Sequence, residues 1–286
     1  MRRRVALNLC LALLAAGLAV IVFLIPSRPE PALPRPLVAS PNPDVRSIQV
    51  ERTGKPRLEF ARAAGGWTLR APIVAPAHPH RIRDLLALPT LPASLGLDIK
   101  DVDLPRFGLH PPLVILILDK DTFEFGTTED LDGRRYVRHQ RQVQLVPDTL
   151  YPQLTQGADF FIDTRLLPEG LRPERIAAPH RVVWFQDNAW RSEPATATGE
   201  PPADAIASAW ETAQALTVAS AVDAGDGQPI TLTFAQGIRI EFVMMERDGQ
   251  IVLQRRDLKL RYLLDPEQAR ALMLIPGTIT DVPAAP

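Results

Sequence analysis

The chain has 286 residues, with 32 Lys and Arg against 33 Asp and Glu, one Cys and 29 Pro. That length suits one large domain or two smaller ones, and a formal charge of −1 excludes a polycationic nucleic-acid binder and a mainly acidic, disordered chain. A single Cys excludes a disulfide framework and a cysteine-based zinc site.

Arg2, Arg3 and Arg4 precede an apolar run from Val5 to Ile25, broken only by Asn8. At about 1.5 Å rise per residue the run reaches roughly 31 Å, the hydrocarbon thickness of a bilayer. The arginines resist translocation, so the expected topology is residues 1–4 in the cytoplasm, a single-pass signal anchor at 5–25 and the bulk of the chain in the periplasm. No small-x-small cleavage site follows Phe23-Leu24-Ile25-Pro26. Residues 26–44 are rich in Pro and read as a semi-rigid, extended spacer of roughly 59 Å.

From Val45 the pattern becomes short strands divided by turn residues. Ser47–Glu51 and Arg57–Ala61 alternate with period two, and Gly65-Gly66 precedes a strand at Trp67–Leu69 that Pro72 stops. Ile82, Leu85 and Leu86 have helical spacing, and Pro89 ends that helix. Val114–Leu118, Phe123–Phe125 and the stretch from Tyr136 to Val146 supply further strands.

The order then repeats. Arg181–Phe185 and Trp190–Glu193 flank the turn at Asp187-Asn188, a helix presents Ile206, Trp210, Ala213 and Leu216 on one face, and alternating strands follow at Ile230–Phe234, Ile238–Phe242 and 251–264. A period near 120 residues is too long for a solenoid unit and points to a duplicated domain. The expected class is α+β, a duplicated module of antiparallel sheet with one main helix per copy. The expected units are 45–168 and 169–276, followed by a flexible tail at 277–286.

Several of these residues form a series that resembles the bacterial domain-of-unknown-function family numbered 4340. The series runs through Ile48, Gly66-Trp67-Thr68-Leu69, Leu85-Leu86, Phe107-Gly108-Leu109-His110-Pro111-Pro112, Gly126, Gly133, Tyr136 and Leu145-Val146. The second copy keeps Trp190 but lacks the segment around Gly108, Leu109 and Pro112. The resemblance implies a membrane-anchored envelope domain, in some genomes encoded near ABC-type exporters and gliding-motility-related components. It implies no catalytic residues. The motif positions themselves are structural: Gly108 suits a left-handed helix end and Pro111-Pro112 blocks helix continuation.

The candidate sites divide by chemistry. His78 and His80 with Asp84 could bind a metal, but Pro79 between them suits a helix start. Asp101, Asp103, Asp119 and Asp121 occupy turn-like sequence, where Asp is favoured for its local hydrogen bonds. Arg134, Arg135, Arg138, His139 and Arg141, with Arg255, Arg256, Lys259 and Arg261 in the second copy, could meet an anionic lipid, glycan or protein, or simply protect strand edges by charge. No cofactor, metal or nucleic acid is expected. The expected partners are the bilayer, through Val5 to Ile25, and other envelope or transporter proteins. The functional expectation is a periplasmic binding or scaffold module accessory to a transport or assembly complex. The alternatives are an enzyme on an envelope glycan or peptide and a carrier of anionic lipid or glycan. An enzyme should gather His, Asp and Glu in a cleft, and a scaffold should expose an apolar or aromatic patch.

Overall fold

The computed structural model describes residues 35–196, 200–221 and 226–274. The expected anchor at 5–25 lies outside them, and no helix among the described residues is long and apolar enough to cross a membrane. Strands dominate: 45% of the described residues are strand and 19% helix.

The first repeat contains β2 (Ser47–Arg52), β3 (Leu58–Ala63), β4 (Gly66–Ala71), α1 (Pro79–Ala87), β6 (Pro92–Asp98), β7 (Val114–Leu118), β8 (Asp121–Thr128), β9 (Arg135–His139), β10 (Gln142–Val146) and α2 (Tyr151–Leu154). Two very short strands, β1 (Arg35–Pro36) and β5 (Ala75–Pro76), close its edges, giving the order β1-β6-β10-β9-β8-β7-β2-β3-β4-β5. The end of the Pro-rich stretch therefore lies against the sheet: Arg35 pairs with Ala93, and Leu37 is buried.

The second repeat contains β11 (Pro173–Ala178), β12 (Arg181–Gln186), β13 (Ala189–Glu193), α3 (Ala203–Thr212), β14 (Thr217–Ser220), β15 (Gln228–Phe234), β16 (Arg239–Arg247), β17 (Gln250–Arg255), β18 (Leu260–Leu264) and α4 (Pro266–Ala271). Its order is β13-β12-β11-β15-β16-β17-β18-β14. Read from the other end, this is the order β6-β10-β9-β8-β7-β2-β3-β4 with each strand replaced by its counterpart. The registers agree as well. Ile48 faces Phe60 and Leu118 on its two neighbours, and Ile176 faces Val183 and Leu232. Across the next hairpin Arg62 faces Trp67, and Phe185 faces Trp190.

The expected α+β class is corrected by these elements. Both units are antiparallel β-sheets, with helices confined to short segments. The nine-residue α1 is accompanied by one-turn 3₁₀ and α segments, and the ten-residue α3 by a 3₁₀ turn and the six-residue α4, so neither unit has a single main helix setting its class. The physical reason is termination: Pro89 lies two residues past the end of α1, and α3 breaks at Ala213, whose backbone is no longer helical. Each helix covers one end of its sheet. Ile82 and Leu85 of α1 are buried, as are Ile206 and Trp210 of α3, with the Trp210 ring 5.8 Å from that of Phe242.

Residues 161–166 join the two repeats. Asp163 N donates to Pro76 O at 2.9 Å, while Ala215 N donates to Thr164 O at 2.8 Å and Leu166 N to Ala213 O at 3.1 Å. The segment is thus hydrogen-bonded to the edge of the first sheet and to the chain entering β14. Phe161, Ile162 and Leu166 are buried in a core that runs through both units.

Candidate functional site

The motif residues of the first repeat build a close backbone crossing. Leu104–Phe107 form a 3₁₀ turn closed by Gly108, whose φ of 64° and ψ of 26° place it in the left-handed region. A Cβ on Gly126 of β8 would lie 2.1 Å from Phe107 O and 3.0 Å from Leu109 Cγ, so only glycine lets the two backbones meet. Leu109 is fully buried, the Tyr136 and Phe107 rings meet edge to face at 4.5 Å, and Pro112 precedes β7. This is packing rather than a ligand site.

The arginine-rich strands are engaged within the fold. Arg135 is buried, donates Nε to Asp148 Oδ1 at 2.6 Å and Nη2 to Asp148 Oδ2 at 2.8 Å, and stacks 3.5 Å from the Tyr151 ring centroid. Arg138, on the opposite face of β9, pairs with Glu124, and Arg134 donates to Ser94 Oγ. Arg141 approaches Asp98 at 3.5 Å and Arg255 pairs with Asp257 at 3.1 Å. Arg256 and Arg261 also have partners, and Lys259 occupies a turn at φ 53°. The His139 ring stacks on Phe123 with centroids 4.7 Å apart.

The histidine and carboxylate candidates are dispersed. His78 is the residue at the N-terminal end of α1, and its ring lies 5.9 Å from that of His80. Burial, then the charge of Arg81, holds the His78 pKa below its usual value. Asp84 accepts from Gln153 Nε2 at 3.0 Å. Among the described residues no group of three or more His, Cys, Asp or Glu could hold a metal ion. Asp119 is a backbone clamp, with Oδ1 accepting from Ser47 N at 2.8 Å, Ser47 Oγ at 3.0 Å and Arg46 N at 3.0 Å. Of the other turn carboxylates, Asp121 begins β8 and Asp101 ends a 3₁₀ turn capped by the preceding residue Asp98, whose side chain accepts from Lys100 N.

Two clefts lie beside the paired tryptophans. One of about 300 Å³ is lined by Trp67, Ile82, Arg83, Leu86, Asp163 and Arg165 at the junction of the repeats. Its polar groups are engaged locally: Arg165 pairs with Asp163 at 2.7 Å and with Glu169 at 2.8 Å, and Arg83 Nη1 lies 3.0 Å from His80 Nδ1. The hydrogen bonds that Arg165 donates to the Asp163 carboxylate, against the pull of burial, raise the Arg165 pKa.

The other, about 570 Å³, is a groove at the end of the second sheet, with Leu171, Pro173, Phe185, Trp190, Phe234 and Ile238 forming its apolar surface. Arg172, Glu174 and Glu211 stand at its rim. Phe185 is 47% exposed and Ile238 52% exposed, and the Phe185 and Trp190 rings meet at 5.6 Å.

The strand registers show what occupies this place in the first repeat. Arg62 stands where Phe185 stands, because each faces the corresponding tryptophan across its hairpin. Ser47 pairs with Ala61 and Arg175 with Trp184, so Arg46 and Asp44 correspond to Glu174 and Arg172. The tight turn at Asp119-Lys120, clamped to Arg46 and Ser47, corresponds to the longer turn Ala235–Gly237 that leads into Ile238. The first repeat therefore carries a charged surface of Asp44, Arg46 and Arg62 where the second carries an aromatic groove.

The domain of unknown function DUF4340 matches residues 67–222, from Trp67 in β4 to just past β14. The chain belongs to this family. The DUF4340 match thus spans most of the first repeat, the junction, and the β11–β13 sheet edge with α3, including Phe185 and Trp190. Comparison with curated proteins and with solved structures found no match.

Period-two alternation puts Phe185 and Ile238 in strands, and nothing in their local sequence marks them for function. Phe185 shares the face of Arg181 and Val183, both buried, so alternation alone assigns it to the core. The signal that could have found it is the substitution of Phe185 for Arg62 once the two hairpins are aligned on their tryptophans.

Proposed function

We propose that this chain is a membrane-tethered binding module whose second repeat holds a protein of an envelope transport or assembly complex in its aromatic groove. The observation that carries the reading is the exposure of Phe185 and Ile238 beside Trp190, at a position that the first repeat fills with charge. The same fold is built either way, so the aromatic surface is not a requirement of folding. Exposed, clustered aromatic and aliphatic side chains reduce solubility unless a partner covers them, and aromatic residues dominate binding hot spots. Arg2–Arg4 and the apolar run Val5 to Ile25 support the tether, with the folded repeats on the periplasmic side.

The test is a gentle-detergent pull-down of the tagged full chain from cells after crosslinking, comparing wild type with Phe185→Arg and Ile238→Lys. The expected result is a defined set of envelope proteins recovered with wild type and lost with both variants. Recovery unchanged by both variants would contradict the assignment of the groove.

A further inference from the structure

The groove is asymmetric in charge as well as in shape. Its rim carries two carboxylates, Glu174 and Glu211, against one guanidinium, Arg172, and the corresponding surface of the first repeat carries two guanidinium groups, Arg46 and Arg62, against Asp44. Arg172 reaches Glu211 at 3.6 Å, whereas Glu174 has no ion-pair partner among the described residues. Phe185, half exposed, and the partly buried Trp190 stand beside these carboxylates.

Ring faces attract cations, an unpaired carboxylate attracts them further, and the aliphatic stem of Arg or Lys packs well on apolar walls. We propose that the occupant of the groove is a partner-protein segment presenting a cationic side chain, Arg or Lys, flanked by apolar ones. Its charged head meets Glu174, its stem crosses the Phe185 and Trp190 rings, and its apolar neighbours cover Leu171 and Ile238. An acidic segment is disfavoured by the same rim, because it would face two carboxylates. A second copy of this chain is the competing occupant. The proposal rests on the groove being a binding surface, and the test below separates the two.

The full chain in phosphatidylcholine nanodiscs is titrated against dye-labelled peptides of sequence Ala-Leu-Arg-Leu-Ala and its counterparts with Gln or Glu at the centre, read by fluorescence anisotropy with empty nanodiscs as control. The Arg peptide is expected to bind roughly three- to tenfold more tightly than the Glu peptide, the sum of an exposed ion pair and a cation–π contact. Glu174→Arg should remove or invert that preference, and Phe185→Arg should weaken binding of the Arg peptide. Equal binding, no binding or preference for the Glu peptide overturns the cationic occupant. If the cellular complex is still lost with Phe185→Arg, the groove keeps its binding role. Sedimentation showing a dimer that Phe185→Arg dissociates also overturns the proposal, by assigning the groove to a second copy.

Discussion

Replacing Asp119 with Ala should loosen the end of the first sheet that the second repeat leaves open. The Asp119 carboxylate accepts from the backbone N–H groups of Arg46 and Ser47, from Ser47 Oγ and from Asn42 Nδ2, and the residue itself sits at φ 52°. Hydrogen bonds to a charged group contribute about 1.5–3 kcal/mol together with their desolvation terms, and partial solvent access places this cluster at the low end. Moving Ala into the left-handed region costs about 1 kcal/mol more. The sum, about 2–3 kcal/mol of local stability, corresponds to roughly 30- to 150-fold faster hydrogen exchange of the Arg46 and Ser47 amides. Asp119→Asn, which tolerates the left-handed region, should show the smaller part of the effect. Burial alone would raise the Asp119 pKa, but the hydrogen bonds from Arg46 and Ser47 outweigh it and leave the pKa below the usual value. The carboxylate therefore contributes stability above its unfolded pKa of about 3.9, and that contribution is lost as pH falls through the lower folded value. Exchange of these two amides in Asp119→Ala within threefold of wild type at neutral pH would refute the clamp.

Two further perturbations probe the packing. Gly126→Ala should cost about 2–3 kcal/mol, because the neighbouring atom is the backbone oxygen of Phe107, and should lower Tm by roughly 4–10 °C. An unchanged melting curve would mean the crossing is looser than described. Burial pushes the Tyr262 pKa up to about 12, so the tyrosinate absorbance lost in Tyr262→Phe should titrate near that value. Because the folded pKa lies above the unfolded value of about 10, the associated stability is present below 10 and declines as pH rises through about 12. Titration of that difference signal near 10 in the folded protein would refute the burial.

Much of the strand pattern was legible because period-two alternation and turn residues are local signals. The hairpin at Asp187-Asn188, with both residues at positive φ, and the left-handed Gly108 are of this kind. So was the face of α1 carrying Ile82, Leu85 and Leu86. The fold class was not legible, because where each short helix ends, and how many one-turn segments replace a longer one, depends on packing against the sheet. The pairing of Arg35–Pro36 with β6 was likewise hidden, since a Pro-rich stretch reads as a solvated spacer unless a sheet edge is present to receive it. The groove was hidden for a related reason. Phe185 continues the buried face of β12, but at the sheet end it is left with Glu211, in the last turn of α3, and an open rim. Sequence gives the face of a residue, whereas its coverage depends on the length of an element elsewhere. The basic strands show the converse: the run of arginines is plain in the sequence, but the carboxylates that engage Arg135, Arg138 and Arg255 come into reach only through pairing or a turn.

In the proposed function Phe185 faces a partner while Arg62, at the same place in the first repeat, does not. Placing a photocrosslinking amino acid at each of these two positions in the full chain and irradiating living cells separates the two. A discrete crosslinked protein species is expected from position 185 and none from position 62. Crosslinks of equal yield from both positions, or none from position 185, would contradict it.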